Sequence, residues 1–115
     1  KLICANHNRR ELDQNPTSHA EILVLEEASQ ILGTWRLEEA TIAVTLEPDA
    51  MCAGAIVNAR IRKLIYAAPN LKAGAAYSLY NIPQDPRLNH HVEIKDNILS
   101  HESEAILSSF FDSKR

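Results

Sequence analysis

At 115 residues the chain can build one hydrophobic core but not two, so it reads as a single domain spanning residues 1–115. Its 45% hydrophobic and 23% charged residues are ordinary for a globular protein, and no apolar run approaches the roughly 18–20 residues that a bilayer crossing needs. A formal net charge of −3 argues against broad, nonspecific attachment to nucleic acid, while leaving room for a local basic face.

The opening Lys1-Leu2-Ile3 lacks the charged and long apolar regions of a secretory signal. Lys1 is not an initiator methionine, which leaves a processed, trimmed or incomplete start open. Two cysteines, Cys4 and Cys52, give no disulfide framework, so a reducing, cytoplasmic setting is expected.

Lys1 to Ala5 is a short apolar run and predicts a strand, followed by polar loop to Pro16. Pro16-Thr17-Ser18 signals a helix entry, with hydroxyls available as caps. From His19 to about Leu32 the apolar residues recur at helical spacing, and Gly33 is a natural stop. Thr41 to Leu46 is β-branched and apolar almost throughout, which predicts a strand buried on both faces. Ala50 to about Arg60 predicts a second helix rich in small residues, and Lys63 to Ala68 the next strand. Ser78 to Asn81 suggests a short helical turn, Gln84 to Arg87 a turn, and Val92 to Lys95 a short strand. Ser100 to about Ser113 predicts a closing helix with Ile106, Leu107, Phe110 and Phe111 on its apolar side. Alternating strands and helices imply an α/β sandwich on a mostly parallel sheet, with ligands expected where strand ends meet helix starts.

Two stretches at such junctions carry chemistry: His19-Ala20-Glu21, and Glu47-Pro48-Asp49-Ala50-Met51-Cys52. Asp49 and Cys52 are almost one helical turn apart and project from one face. Brought together, His19, Asp49 and Cys52 can surround one metal ion, with Glu21 beside it as a general acid and base. Each residue also has a structural reading. Asp49 is a strong N-cap type, His19 and Glu21 suit a first helical turn, and Cys52 can be an inert buried thiol. Arg9, Arg10, Arg60, Arg62 and Lys63 read either as a phosphate-facing surface or as solvated charge.

The pattern nearly matches the zinc-deaminase signature H-x-E…P-C-x-x-C, with Asp49 where the signature has its first cysteine. Further matching segments run nearly end to end: His7 to Glu11, Pro16 to Glu21, Trp35-Arg36-Leu37, Glu47-Pro48 and Met51 to Ile56. They continue through Lys72 to Ala75, Ser78 to Asn81, Asp85 to His90 and Phe110-Phe111. On these residues the chain resembles the bacterial tRNA-specific adenosine deaminases of the cytidine deaminase-like superfamily. The resemblance implies a three-layer α/β/α sandwich with a mixed, mostly parallel sheet, and a homodimer. It further implies that zinc on His19, Asp49 and Cys52 activates water to convert adenosine to inosine at the wobble position of a tRNA anticodon loop, with Glu21 moving the protons. This chemistry is the family's known one.

By position, the resemblance gives Asn8 to the flipped-out nucleotide, Asn89 and His90 to the anticodon-loop site, and Phe110 and Phe111 to the closing helix or pocket. Family members carry a helix and a strand before the segment matching Lys1, and those elements are absent from this sequence. Asp49 predicts weaker metal binding and lower activity than cysteine would give. Two rival readings are a deaminase of free nucleobases or nucleosides, and a non-catalytic RNA-binding or dimer-partner protein with a weakened metal site.

Overall fold

Three parallel strands, β1 (Thr41–Leu46), β2 (Lys63–Ala68) and β3 (Glu93–Lys95), form a sheet in that order in the computed structural model, which describes residues 1–96. Thr41 pairs with Lys63 and Leu46 with Ala68, so β1 and β2 end level with each other at their carboxyl edge. Helix α3 (Ala50–Asn58) makes the crossover between them, and α2 (Ala20–Leu32) packs against α3. A short helix, α1 (Arg10–Asp13), precedes α2.

The expected core periodicity is clearest in β2, where Leu64, Tyr66 and Ala68 are buried and the intervening residues are partly exposed. They pack with Ile42 of β1, Ile56 and Val57 of α3, Leu25 and Ala28 of α2, and the connecting residues Leu37, Ile61 and Val92. Complete burial of a side chain such as Ile56 or Leu64 contributes about 1.5–3 kcal/mol to folding. Helix α2 ends at Gly33, whose φ of 70° closes the helix with an N–H bond to the Ser29 carbonyl. Helix α3 stops at Asn58, short of the expected Arg60, because Arg60 turns to a φ of 61°.

The structure corrects four local expectations. Lys1 to Ala5 is irregular rather than a strand; Leu2 is solvent-exposed, and the segment has no strand partner among the described residues. The loop after it contains α1, supported by the Asn8 side chain accepting from Arg10 N–H and by the i,i+4 pair of Arg9 with Asp13. Strand β1 buries one face only: Ile42 is buried while Thr41, Ala43 and Thr45 are exposed. Threonine favours strands without requiring burial, so β-propensity alone does not count covered faces. Residues 78–81 leave a turn and run on irregularly rather than forming a helical turn, held by bonds such as Leu79 N–H to the Gly74 carbonyl. The expected closing helix with Phe110 and Phe111 lies outside the described residues.

Candidate metal centre

The site begins with two helix starts at the carboxyl edge of the sheet. His19 is the N-cap residue of α2 and is extended, with φ −75° and ψ 151°. Its side chain makes no cap bond, and neither do the hydroxyls of Thr17 and Ser18 expected to act there. Thr17 instead bonds back to Asn15, which closes the turn ahead of the helix. The imidazole is therefore left to face α3.

Asp49 is the N-cap of α3 and divides its carboxylate between two tasks. One oxygen accepts from the backbone N–H of Cys52 at 3.0 Å, while the other lies 3.5 Å from His19 Nδ1. Cap and ligand were alternatives in the sequence; the folded geometry offers one oxygen to each. Cys52, fully buried one turn on, sets its sulfur 3.5 Å from the same His19 nitrogen. The ligand atoms of His19, Asp49 and Cys52 all lie within 4.8 Å of one another.

These residues fit a zinc ion. Nitrogen, oxygen and sulfur donors at about 2.0–2.3 Å in a tetrahedral array stand about 3.4–3.6 Å apart. Both separations from Nδ1 meet that requirement, and the remaining pair, the Asp49 oxygen and the Cys52 sulfur, lies within 4.8 Å. Three protein donors leave a fourth position open, the arrangement of a catalytic rather than a structural zinc site.

The electrostatics point the same way. Burial raises the Cys52 thiol above its ordinary range, and the neighbouring carboxylates of Glu21 and Asp49 raise it further. The cluster thus concentrates negative groups around a sulfur held as a thiol, a local field that a divalent cation inverts. Burial also raises the Glu21 carboxyl, with a contribution from Asp49, against the opposing pull of its own backbone hydrogen bond and of His19. A carboxyl moved toward neutrality, beside the ligand cluster, is suited to exchanging protons.

The outer residues divide by edge of the sheet. Asn8 belongs to the site's side: the N–H of its neighbour Arg9 bonds the carbonyl of Ser18, immediately before His19, at 2.8 Å. Its side chain is exposed, with the oxygen holding the turn into α1. Asn89 and His90 do not join the cluster. The His90 ring bonds the Ile61 carbonyl at 2.7 Å, next to the amino end of β2 and so at the edge of the sheet opposite the metal-ligand group. Of the basic residues, Arg9 pairs with Asp13, Lys63 with Glu93, and Arg60 lies over Trp35.

The MafB19-like deaminase family matches residues 1–115. The tRNA-specific adenosine deaminase of Bacillus subtilis (strain 168) is 46% identical over 111 residues, covering 96% of this chain and 69% of the relative. That of Streptococcus pyogenes serotype M18 is 43% identical, covering 96% and 70%. The chain belongs to the MafB19-like deaminase family. Among solved structures, one from studies of A-to-I editing by tRNA:A34 deaminases superimposes with a TM-score of 0.87 at 39% identity, covering 92% of this chain and 77% of that one. The guanine deaminase from Nitrosomonas europaea, at 22% identity and a TM-score of 0.72, covers 92% of this chain and 63% of its own, and shares the fold alone. The expected cytidine deaminase-like α/β fold is therefore present.

One further buried residue of this deaminase organises the loop beside the site. Glu47, at the end of β1 and two residues before Asp49, is 1% exposed. One of its oxygens accepts from the N–H groups of Ala76, Tyr77 and Ser78 at 3.0, 2.8 and 2.9 Å. The other accepts from Asn70 N–H at 3.1 Å and from the Ser78 hydroxyl. Burial alone would raise this carboxyl; the hydrogen bonds from Ser78, Asn70 and Tyr77 outweigh it and hold the group below the usual range. The available signal was an acidic residue ending an otherwise apolar strand, which requires partners to be buried.

Proposed function

We propose that this chain deaminates adenosine to inosine in tRNA, at the wobble position of the anticodon loop, using a zinc ion held by His19, Asp49 and Cys52. The convergence of these three donors beside Glu21 carries the reading. Its similarity to tRNA-specific adenosine deaminases, at 46% and 43% identity over 96% of the chain, supports the substrate class.

His19, Cys52 and the Asp49 oxygen not used in capping would hold the zinc ion, which would supply an activated water at neutral pH. Glu21 accepts a proton from the attacking water and returns it to the base and departing ammonia, the role for which its raised carboxyl suits it. Asn8 holds the extruded nucleotide from the neighbouring loop. Extruding a base from a loop costs less than taking it from a duplex, which suits this substrate. Asn89 and His90, at the opposite edge of the sheet, take no part in this pocket.

The domain acts as a unit over residues 1–115, in a homodimer. Exposed Ile31, Leu32 and Trp35 and the shallow apolar groove between α2 and α3 support pairing with a second copy. Two unpaired cysteines agree with a cytoplasmic setting. No helix among the described residues is long and apolar enough to cross a membrane.

The test is inosine formation by zinc-loaded protein on a tRNA carrying adenosine at the wobble position, run beside free guanine, cytosine and adenosine. Inosine in the tRNA is the expected result. Turnover of a free base alone overturns the tRNA assignment, and protein with neither bound zinc nor inosine formation is a non-catalytic partner.

A further inference from the structure

We propose that Glu47 is a positioning residue that holds the 70–80 loop as the rim on which RNA flanking the reacting base rests; this depends on the tRNA reading above. The loop leaves the carboxyl end of β2, level with the end of β1 that launches Asp49 and Cys52. Its small residues Ala75 and Ala76 are buried, whereas Leu71, Tyr77 and Tyr80 face solvent. Exposed tyrosines such as Tyr77 and Tyr80, beside a nucleic-acid site, offer bases a stacking surface.

Burial cannot fix such a loop, because its large side chains gain little from folding. Hydrogen bonds fix it instead, and five of them end on one buried carboxylate. The Pro48 carbonyl adds a sixth tie by accepting from Ala75 N–H at 2.8 Å. Gly74 lets the backbone come this close: a Cβ there would lie 2.4 Å from the Glu47 carboxyl carbon and 2.5 Å from the Asn70 carbonyl oxygen. The rim and the start of α3 thereby share one anchor, two residues from Asp49. A shift at this anchor moves the stacking surface relative to the reacting atoms.

Two variants test it. Glu47→Gln keeps the shape but turns a donor toward either Asn70 N–H or the three loop N–H groups. Ser78→Ala removes only the hydroxyl bond. In zinc-loaded protein, KM for an anticodon stem-loop should rise about tenfold in Glu47→Gln and about threefold in Ser78→Ala, with kcat within about twofold of the parent. Amide exchange at Ala76, Tyr77 and Ser78 should accelerate in both while amides of α3 and β2 keep their protection. Unchanged KM in both, a fall in kcat at unchanged KM, or unchanged loop exchange overturns the proposal. If Glu47→Gln does not fold, Ser78→Ala decides it by the same three readings. A parent protein that forms no inosine defeats the tRNA reading; the positioning claim is then decided by loop exchange and stem-loop affinity, and unchanged affinity in both variants overturns it.

Discussion

Asp49→Cys separates the two tasks of the Asp49 carboxylate. In the parent, zinc must displace a proton from Cys52, whose thiol is raised by burial and by Glu21 and Asp49, while Asp49 itself binds as an oxygen donor. The variant substitutes a second thiol, so each ion bound near neutral pH should release about one more proton than in the parent. The logarithm of zinc affinity should accordingly rise with pH more steeply by about one unit per pH unit. At pH 7.5 the softer donor should tighten binding by about tenfold or more, equivalent to about 1.4 kcal/mol. Against this, losing the Asp49 oxygen that accepts from Cys52 N–H removes a helix cap of about 1 kcal/mol, so the metal-free variant should melt about 4 °C lower. The assay is zinc competition against a chromophoric chelator between pH 7 and 8, with calorimetry in buffers of different ionisation enthalpy counting protons. Equal proton release and equal affinity in the two proteins would refute the assignment of Asp49 to the metal.

Three further outcomes follow from the same geometry. Glu21→Gln should retain zinc and lose about 10²–10⁴-fold in kcat, as read by inosine formation; retained turnover would remove Glu21 from proton transfer. Gly74→Ala drives a methyl into the Glu47 carboxyl and the Asn70 carbonyl and should destabilise by about 1–3 kcal/mol in denaturant unfolding, with an unaltered midpoint counting against the close approach. Glu47 is held below its ordinary carboxyl range in the fold, so its contribution is present above the unfolded value of about 4.3 and lost as pH falls through the lower folded value. Melting temperature should therefore fall on acidification through that window, and Glu47→Gln should flatten this limb of the profile; an unchanged acid limb would contradict the sign.

Much of the candidate site was legible because it is written in short spacings. His19 and Glu21 are two residues apart at one helix start, and Asp49 and Cys52 are three apart at another. Helical geometry places each pair before any tertiary contact forms. The spans of α2, β1 and β2 were likewise readable, from apolar period, β-branched content and Gly33. The strand expected at Lys1 to Ala5 was not, since a strand needs a partner and an apolar run does not supply one.

By itself, the sequence determined which side chains are available and which local faces they share, because those depend on residue type and a few backbone dihedrals. Tertiary structure alone decided that His19 Nδ1 stands 3.5 Å from both the Asp49 oxygen and the Cys52 sulfur, across a gap of 30 residues or more in the chain. It also separated Asn8, tied beside Ser18, from His90 on the opposite edge of the sheet. The role of Glu47 was least legible: four of its five partners are backbone N–H groups, which every residue except proline carries, and only folding selects those of Asn70 and of Ala76 to Ser78.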